Sequence, residues 1–208
     1  MDKNHSKKRI GFDLDNTLID YSLSCIKYSE FSDLPTIGKT TDLKQHLNKI
    51  DPTTKTWNKA QSWIYTEGLS FAKISEGAEE LLAWLQSKHY DISIHSHKSE
   101  KTPEYSGSLD LRSPMKSWIQ SSNLLAYLDF ERDIFFYETQ DFKIQGISDA
   151  NLDIFVDDLM AVFNHPRFPR NVVPLLIGSA NPEKTEFEQF SNFIDLKKWI
   201  EVYDAKTT

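Results

Sequence analysis

Five short apolar runs punctuate the chain, at Arg9 to Leu14, Tyr90 to His95, Asp133 to Tyr137, Leu152 to Val156 and Val172 to Ile177. Each has the length and composition of a β-strand. Helical patterns lie between them. The clearest is Glu76 to Lys88, with Ala78, Leu81, Leu82 and Leu85 on one face and Ser75 placed as its N-cap. A second starts at Ser113-Pro114, serine capping and proline taking the first helical position, and runs through Met115, Trp118, Ile119 and Leu125. Parallel strands need helical crossovers, so this alternation predicts an α/β fold: a mostly parallel sheet of about five strands covered by helices on both faces. Catalytic groups then belong at the carboxyl ends of the strands.

One stretch breaks the alternation. From Ile19 to Ile74 no strand pattern stands out, but two helical ones do: Leu43, Leu47 and Ile50 share one face, and Trp57, Ala60 and Ile64 another, with Gly68 placed to end the second helix. Residues 19–74 therefore read as a small helical insertion into a core formed by residues 1–18 and 75–208.

At 208 residues the chain fits one such core with its insertion, and its 39% hydrophobic and 26% charged content is that of a folded globular protein. No run of about 18 apolar residues suggests a membrane span, and the polar, basic start from Met1 to Arg9 is not followed by an apolar stretch of signal-peptide length. A cytoplasmic protein is expected. The single cysteine, Cys25, cannot form an internal disulfide and is compatible with a reducing compartment. A net charge of -7 opposes attraction to nucleic-acid phosphates, and the basic group Lys3, Lys7, Lys8 and Arg9 reads as a solvated terminal run.

Chemistry concentrates at two strand ends. Asp13 follows the first apolar run directly and Asp15 lies two residues on, in Asp13-Leu14-Asp15-Asn16-Thr17. Such a D-x-D-x-T pattern arises by chance in roughly one chain in thirty of this size, so alone it also suits a turn-forming or calcium-like acidic loop. Phe155-Val156-Asp157-Asp158 repeats the arrangement of apolar strand and carboxylates. Acids gathered from two strand ends raise one another's pKa unless a cation compensates, and oxygen-only ligands favour Mg²⁺. Taken alone, Asp157-Asp158 is also a plausible helix N-cap.

Two further residues complete a phosphate site. Ser96, at the end of Ile92-Ser93-Ile94-His95, offers a hydroxyl, and Lys143, in the helical segment Phe142-Lys143-Ile144, offers an ammonium to a phosphoryl group and to the nucleophile.

In this order the residues resemble the four motifs of the haloacid dehalogenase superfamily: Asp13 to Thr17 for the first, Ser96 for the second, Lys143 for the third and Asp157-Asp158 for the fourth. Lys116 competes for the third, but it lies inside the helix after Pro114, before the strand Asp133 to Tyr137. The resemblance covers Arg9 to Gly178 and implies a Rossmann-like core with a mobile cap. Eighty residues separate Asp15 from Ser96, against 46 between Ser96 and Lys143, which already hold a helix and a strand; the cap belongs after the first motif.

Within this family an aspartate two residues after the nucleophile, here Asp15, is found in phosphatases and phosphomutases and is lacking in dehalogenases. An alkoxide leaving group needs a proton and a halide does not. The resemblance therefore implies a phosphohydrolase of a small phosphorylated metabolite. Asp13 is the nucleophile and Asp15 the general acid and base. Thr17, Ser96, His97 and Lys143 contact the substrate, and Mg²⁺ is bound by Asp13, the Asp15 backbone carbonyl, Asp157 and, through water, Asp158. His95 reads as core-facing and His97 as a loop histidine able to reach substrate, while the polar stretch Lys98 to Arg112 reads as an entrance loop. Sugar phosphomutase chemistry, a non-catalytic phosphate-binding module, and action on nucleic-acid phosphate ends are the competing functions. Trp57, Trp63 and Tyr65 in the insertion carry no readable substrate code.

Overall fold

The computed structural model describes residues 7–98, 110–178 and 186–207. Six strands form one sheet: β1 (Arg9–Phe12), β4 (Asp91–His97), β5 (Ile134–Tyr137), β6 (Ile154–Asp157), β7 (Val173–Ile177) and β8 (Glu188–Phe190), in the order β5-β4-β1-β6-β7-β8. All neighbouring pairs are parallel. Phe12 pairs with Ile94 on one side and Val156 on the other, which brings Asp13 and Asp157 level at the carboxyl edge. The chain steps outward from β1 through β4 to β5 and then returns to β6 on β1's other side. Asp13 and Asp157 therefore flank the point where strand order reverses, the usual ligand crevice of an open α/β sheet.

Helices cover both faces. Those after the insertion are α4 (Ala78–Ser87), α5 (Arg112–Ser121), the short α6 (Phe130–Asp133), α7 (Gln140–Asp149), the short α8 (Met160–Phe163) and α9 (Phe193–Thr207). On one face Leu81, Leu85, Ile119, Leu196 and Ile200 join Ile10, Phe12 and Ile94 in one apolar cluster. On the other, Ile144, Ile147, Val162 and Phe163 pack around Phe155 and Leu176.

Residues 19–74 hold α1 (Ser22–Phe31), α2 (Thr40–Ile50), α3 (Lys55–Ile64) and a 3₁₀ turn over Glu67–Phe71. They also hold two strands that the apolar pattern does not reveal. β2 (Ile19–Asp20) and β3 (Lys73–Ile74) pair antiparallel, Ile19 with Ile74, and close the base of the insertion. The helices do not pack alone: Leu43, Leu47, Trp57, Ala60, Ile64 and Leu69 are continuous with the core cluster.

Several local expectations are corrected. The sheet has six strands rather than about five, because β8 pairs through only three residues and shows no apolar run. Ser75 does not cap α4. Its hydroxyl donates to the Thr17 carbonyl at 2.6 Å and its N–H to that of Leu18 at 2.9 Å, and the helix starts after Gly77, whose φ of 80° suits glycine. At α5 the N–H groups of Arg112 and Ser113 donate to Asp110, so Asp110 rather than Ser113 serves that end and Pro114 lies in the third helical position. Ile50 is 60% exposed, and Leu125 lies in a separate 3₁₀ turn beyond the end of α5. The third helix ends at Ile64, before Gly68. Gly68 instead lets the 3₁₀ turn press onto Trp63, where an added Cβ would meet atoms at 3.0 Å.

Candidate active site

Asp13 ends the β1 ladder, its N–H donating to the Val156 carbonyl at 2.8 Å, and so points from the sheet edge toward the end of β6. Lys143 reaches the same spot from the first turn of α7, a helix capped by Thr139, whose hydroxyl accepts from the Phe142 N–H. The buried Lys143 ammonium bridges two carboxylates, Asp13 Oδ1 at 2.5 Å and Asp157 Oδ2 at 2.7 Å. Two close approaches hold this helix in place. Tyr137 lies against Gly146, where no Cβ would fit. The Tyr137 hydroxyl is in turn within 2.9 Å of His95 Nδ1.

Asp13, Asp157 and Asp158 each bring a carboxylate oxygen within 4.8 Å of the others. Burial is the main force on the protonation of Asp13 and Asp158. It pushes the Asp13 carboxyl up to about 7, with Lys143 opposing the rise and Asp157 and Asp15 adding to it. Asp158 is raised well above the usual carboxylate range by the same burial and by Asp13 and Asp157. Lys143 is raised above its ordinary value: burial works against its charge, and the Asp13 and Asp157 carboxylates overcome it.

Asp15 turns away from this group. Its Oδ1 accepts the Tyr21 hydroxyl at 2.5 Å and the Lys98 ammonium at 2.9 Å. Asn16 follows at φ 58°, a left-handed conformation that asparagine tolerates, and its side-chain oxygen accepts the Thr40 hydroxyl from the first residue of α2. The loop then returns through Thr17. Thr17 Oγ1 and Ser96 Oγ are both buried and meet no hydrogen-bond partner among the described residues. Buried hydroxyls are seldom left so.

The cluster fits a divalent cation. Asp13, Asp157 and Asp158 gather three carboxylates around the single ammonium of Lys143, which pairs with Asp13 and Asp157. Burial first, and the neighbouring carboxylates after it, raise Asp13 and Asp158, and the all-oxygen donor set suits a hard cation such as Mg²⁺.

No family model matches the sequence, and no curated protein matches it. Solved structures do match. A predicted phosphatase from Clostridium acetobutylicum superposes with a TM-score of 0.63 at 16% identity, over 94% of this chain and 99% of its own. A haloacid dehalogenase-like protein from Agrobacterium tumefaciens gives 0.60 at 13% identity, over 96% and 100%. The chain has the haloacid dehalogenase fold. A further protein of this fold, a hydrolase from Bacillus subtilis solved bound to magnesium, gives 0.55 at 12% identity over 93% and 98%.

The residues that resemble the four motifs lie at the carboxyl edge of one sheet. Asp13, Lys143, Asp157 and Asp158 converge directly, with Ser96 and Thr17 buried at the same edge. The Asp15 carboxylate stands apart from the metal-type group, leaving its backbone carbonyl as the ligand that the resemblance implies. His95 is buried as expected, stacked on Tyr137 and Phe135, and burial, then the Lys143 charge, lowers it to about 3. His97 belongs to strand β4 rather than to a loop. Its side chain is exposed, with Nε2 3.2 Å from the Glu138 carbonyl oxygen.

Three residues escaped the sequence reading. Lys98 stands at the head of the polar stretch that reads as an entrance loop, yet it is only 3% exposed; residues 99–109 of that stretch lie outside the described residues. Strand alternation carried a signal for it, since Lys98 lies two residues beyond Ser96 and so on the same face. Tyr21 and Tyr65 reach the site from the insertion, their rings 5.4 Å apart, and neither has a sequence signature of its role.

Proposed function

We propose that this chain is a Mg²⁺-dependent phosphohydrolase that cleaves a small phosphomonoester through a phosphorylated Asp13. The carrying observation is the buried Asp13–Lys143 pair together with two buried hydroxyls, Thr17 in the loop after β1 and Ser96 near the end of β4, that meet no partner among the described residues. A carboxylate held by an ammonium is oriented for attack, and two free hydroxyls suit the oxygens of a phosphoryl group.

In this reading Asp13 attacks phosphorus in line with the leaving oxygen. Asp15 delivers a proton to that oxygen, then takes one from the water that cleaves the aspartyl phosphate. Lys143 offsets the charge on Asp13 and on the phosphoryl group, and Ser96 and Thr17 hold its oxygens. Asp13, Asp157 and the Asp15 carbonyl, with Asp158 through water, would hold Mg²⁺, which would supply positive charge where the phosphoryl oxygens gather negative charge. The magnesium-bound neighbour from Bacillus subtilis supports that choice of ion.

Residues 19–74 act as the cap. Tyr21 and Tyr65 bring it into contact with Asp15 and Lys98, so it covers the crevice and excludes water. Among the described residues no helix is long and apolar enough to cross a membrane, and the buried, unpaired Cys25 suits a reducing cytoplasm.

A screen of phosphorylated sugars, nucleotides and lipid precursors tests the reading. With Mg²⁺ at least one class should release inorganic phosphate, and EDTA should stop the release. Absence of turnover across all three classes would contradict it.

A further inference from the structure

Lys98 is an ammonium in a place where stability alone does not require one. A buried ion pair recovers the cost of removing both charges from water only with good geometry, and apolar replacements of such pairs are often neutral or stabilising. Its backbone is pinned from both sides: its N–H donates to the Tyr137 carbonyl at 2.9 Å, and its carbonyl accepts Arg112 Nε at 2.7 Å. Its Nζ lies 3.8 Å from the centre of the Tyr65 ring, a cation–π contact with the insertion, and 2.9 Å from Asp15 Oδ1.

Tyr21 and Lys98 donate to the same oxygen of Asp15. Among the described residues no donor reaches Oδ2. The carboxylate is thus held at one oxygen from two directions, by the insertion through Tyr21 and by the end of β4 through Lys98, and its other oxygen is left for chemistry.

Resting on the phosphohydrolase reading above, we propose that Lys98 is the positioning residue of Asp15, holding Oδ1 so that Oδ2 exchanges the proton. The steps balance as follows. An Asp13 oxygen bonds to phosphorus as the bond to the ester oxygen breaks, and that oxygen takes the proton from Asp15 Oδ2. Water then attacks phosphorus and passes its proton to Oδ2, and the phosphorus–Asp13 bond breaks to return the carboxylate and inorganic phosphate. Tyr21 shares the task, and because Tyr21 and Tyr65 come from the insertion, the seating of the cap and the aim of Asp15 are coupled.

Leaving-group dependence separates this role from a structural one. An alkoxide needs the proton of Asp15, whereas p-nitrophenolate leaves without it. The readout is kcat/KM with Mg²⁺ for p-nitrophenyl phosphate and for a primary alkyl phosphate, since kcat/KM reports only steps up to the first bond cleavage. Lys98→Met should lower the alkyl value roughly 10²-fold, the scale of a misaimed acid, and the nitrophenyl value by less than about 5-fold. Tyr21→Phe, which keeps the ring packing, should shift the ratio the same way by a smaller factor; if Lys98→Met does not fold, Lys98→Gln, which also removes the ammonium, should show the same selective loss and decides the matter. Equal losses on both esters in these variants, or no loss on either, would overturn the role of Lys98 while leaving the phosphohydrolase intact. No turnover by the wild type of either ester or of any class in the phosphate screen would instead overturn the phosphohydrolase reading, and this role with it.

Discussion

Replacing Asp13 by Asn is expected to lower magnesium-dependent phosphate release by a factor on the order of 10⁴ or more, since the amide is nearly isosteric but offers no anionic oxygen to phosphorus. The fold should survive. Lys143 keeps its pair with Asp157 at 2.7 Å, and the substitution removes a carboxylate whose burial already favours its neutral form. Circular dichroism and a thermal midpoint at or above the wild-type value would place the loss in the chemistry. Retention of more than about a tenth of the activity would exclude Asp13 as nucleophile, because removing an attacking group costs orders of magnitude.

The second large effect belongs to Lys143. Methionine fills most of the same volume but leaves Asp13 and Asp157 facing each other in a buried site without their shared cation. Removing one partner of a buried pair costs about 3–5 kcal/mol, so Lys143→Met should lower the thermal midpoint by roughly 10 °C in a domain of this size. Activity should fall together with it, since the same ammonium offsets charge on the nucleophile. Added Mg²⁺ should recover part of the midpoint and little of the activity, because a cation replaces the lost charge on the carboxylates but not the lysine's contact with the phosphoryl group. An unchanged midpoint without metal would show that the bridge between Asp13 and Asp157 does not form.

How much of this was legible in the chain depends on the reach of each signal. β1 and β6 announce themselves because strands buried on both faces need uninterrupted apolar runs, and Asp13 and Asp157 mark their ends. Their side-by-side placement is a matter of topology, readable from the alternation of strands and helices and from the family resemblance. β2, β3 and β8 stayed hidden. Two or three residues are too few for a period to show, and their pairing is decided by what lies beside them in the fold.

The caps failed for a related reason. Ser75 and Ser113 have the right residue type one step before a helical pattern, but Ser75 spends its hydroxyl on the Thr17 carbonyl, and the N–H groups at the start of α5 turn to Asp110. Local propensity proposes such roles, and a competing partner from elsewhere in the chain takes them.

Lys98 shows the same limit at the site itself. Within a run of polar residues a lysine reads as solvated, and its burial goes with the arrival of Tyr65 from the insertion and of Asp15 from the loop after β1. Pairings between residues 83 apart, as for Lys98 and Asp15, leave no trace in a single sequence.

Covalent phosphorylation of Asp13 is the most direct test of the proposed chemistry. The protein is mixed with Mg²⁺ and p-nitrophenyl phosphate, quenched in acid within the first turnover, and treated with borohydride, which reduces an aspartyl phosphate to homoserine. Peptide mass spectrometry should find homoserine in place of Asp13, and should not find it without the ester or in Asp13→Asn. Turnover accompanied by an unmodified Asp13, or by reduction at a different carboxylate, would contradict it.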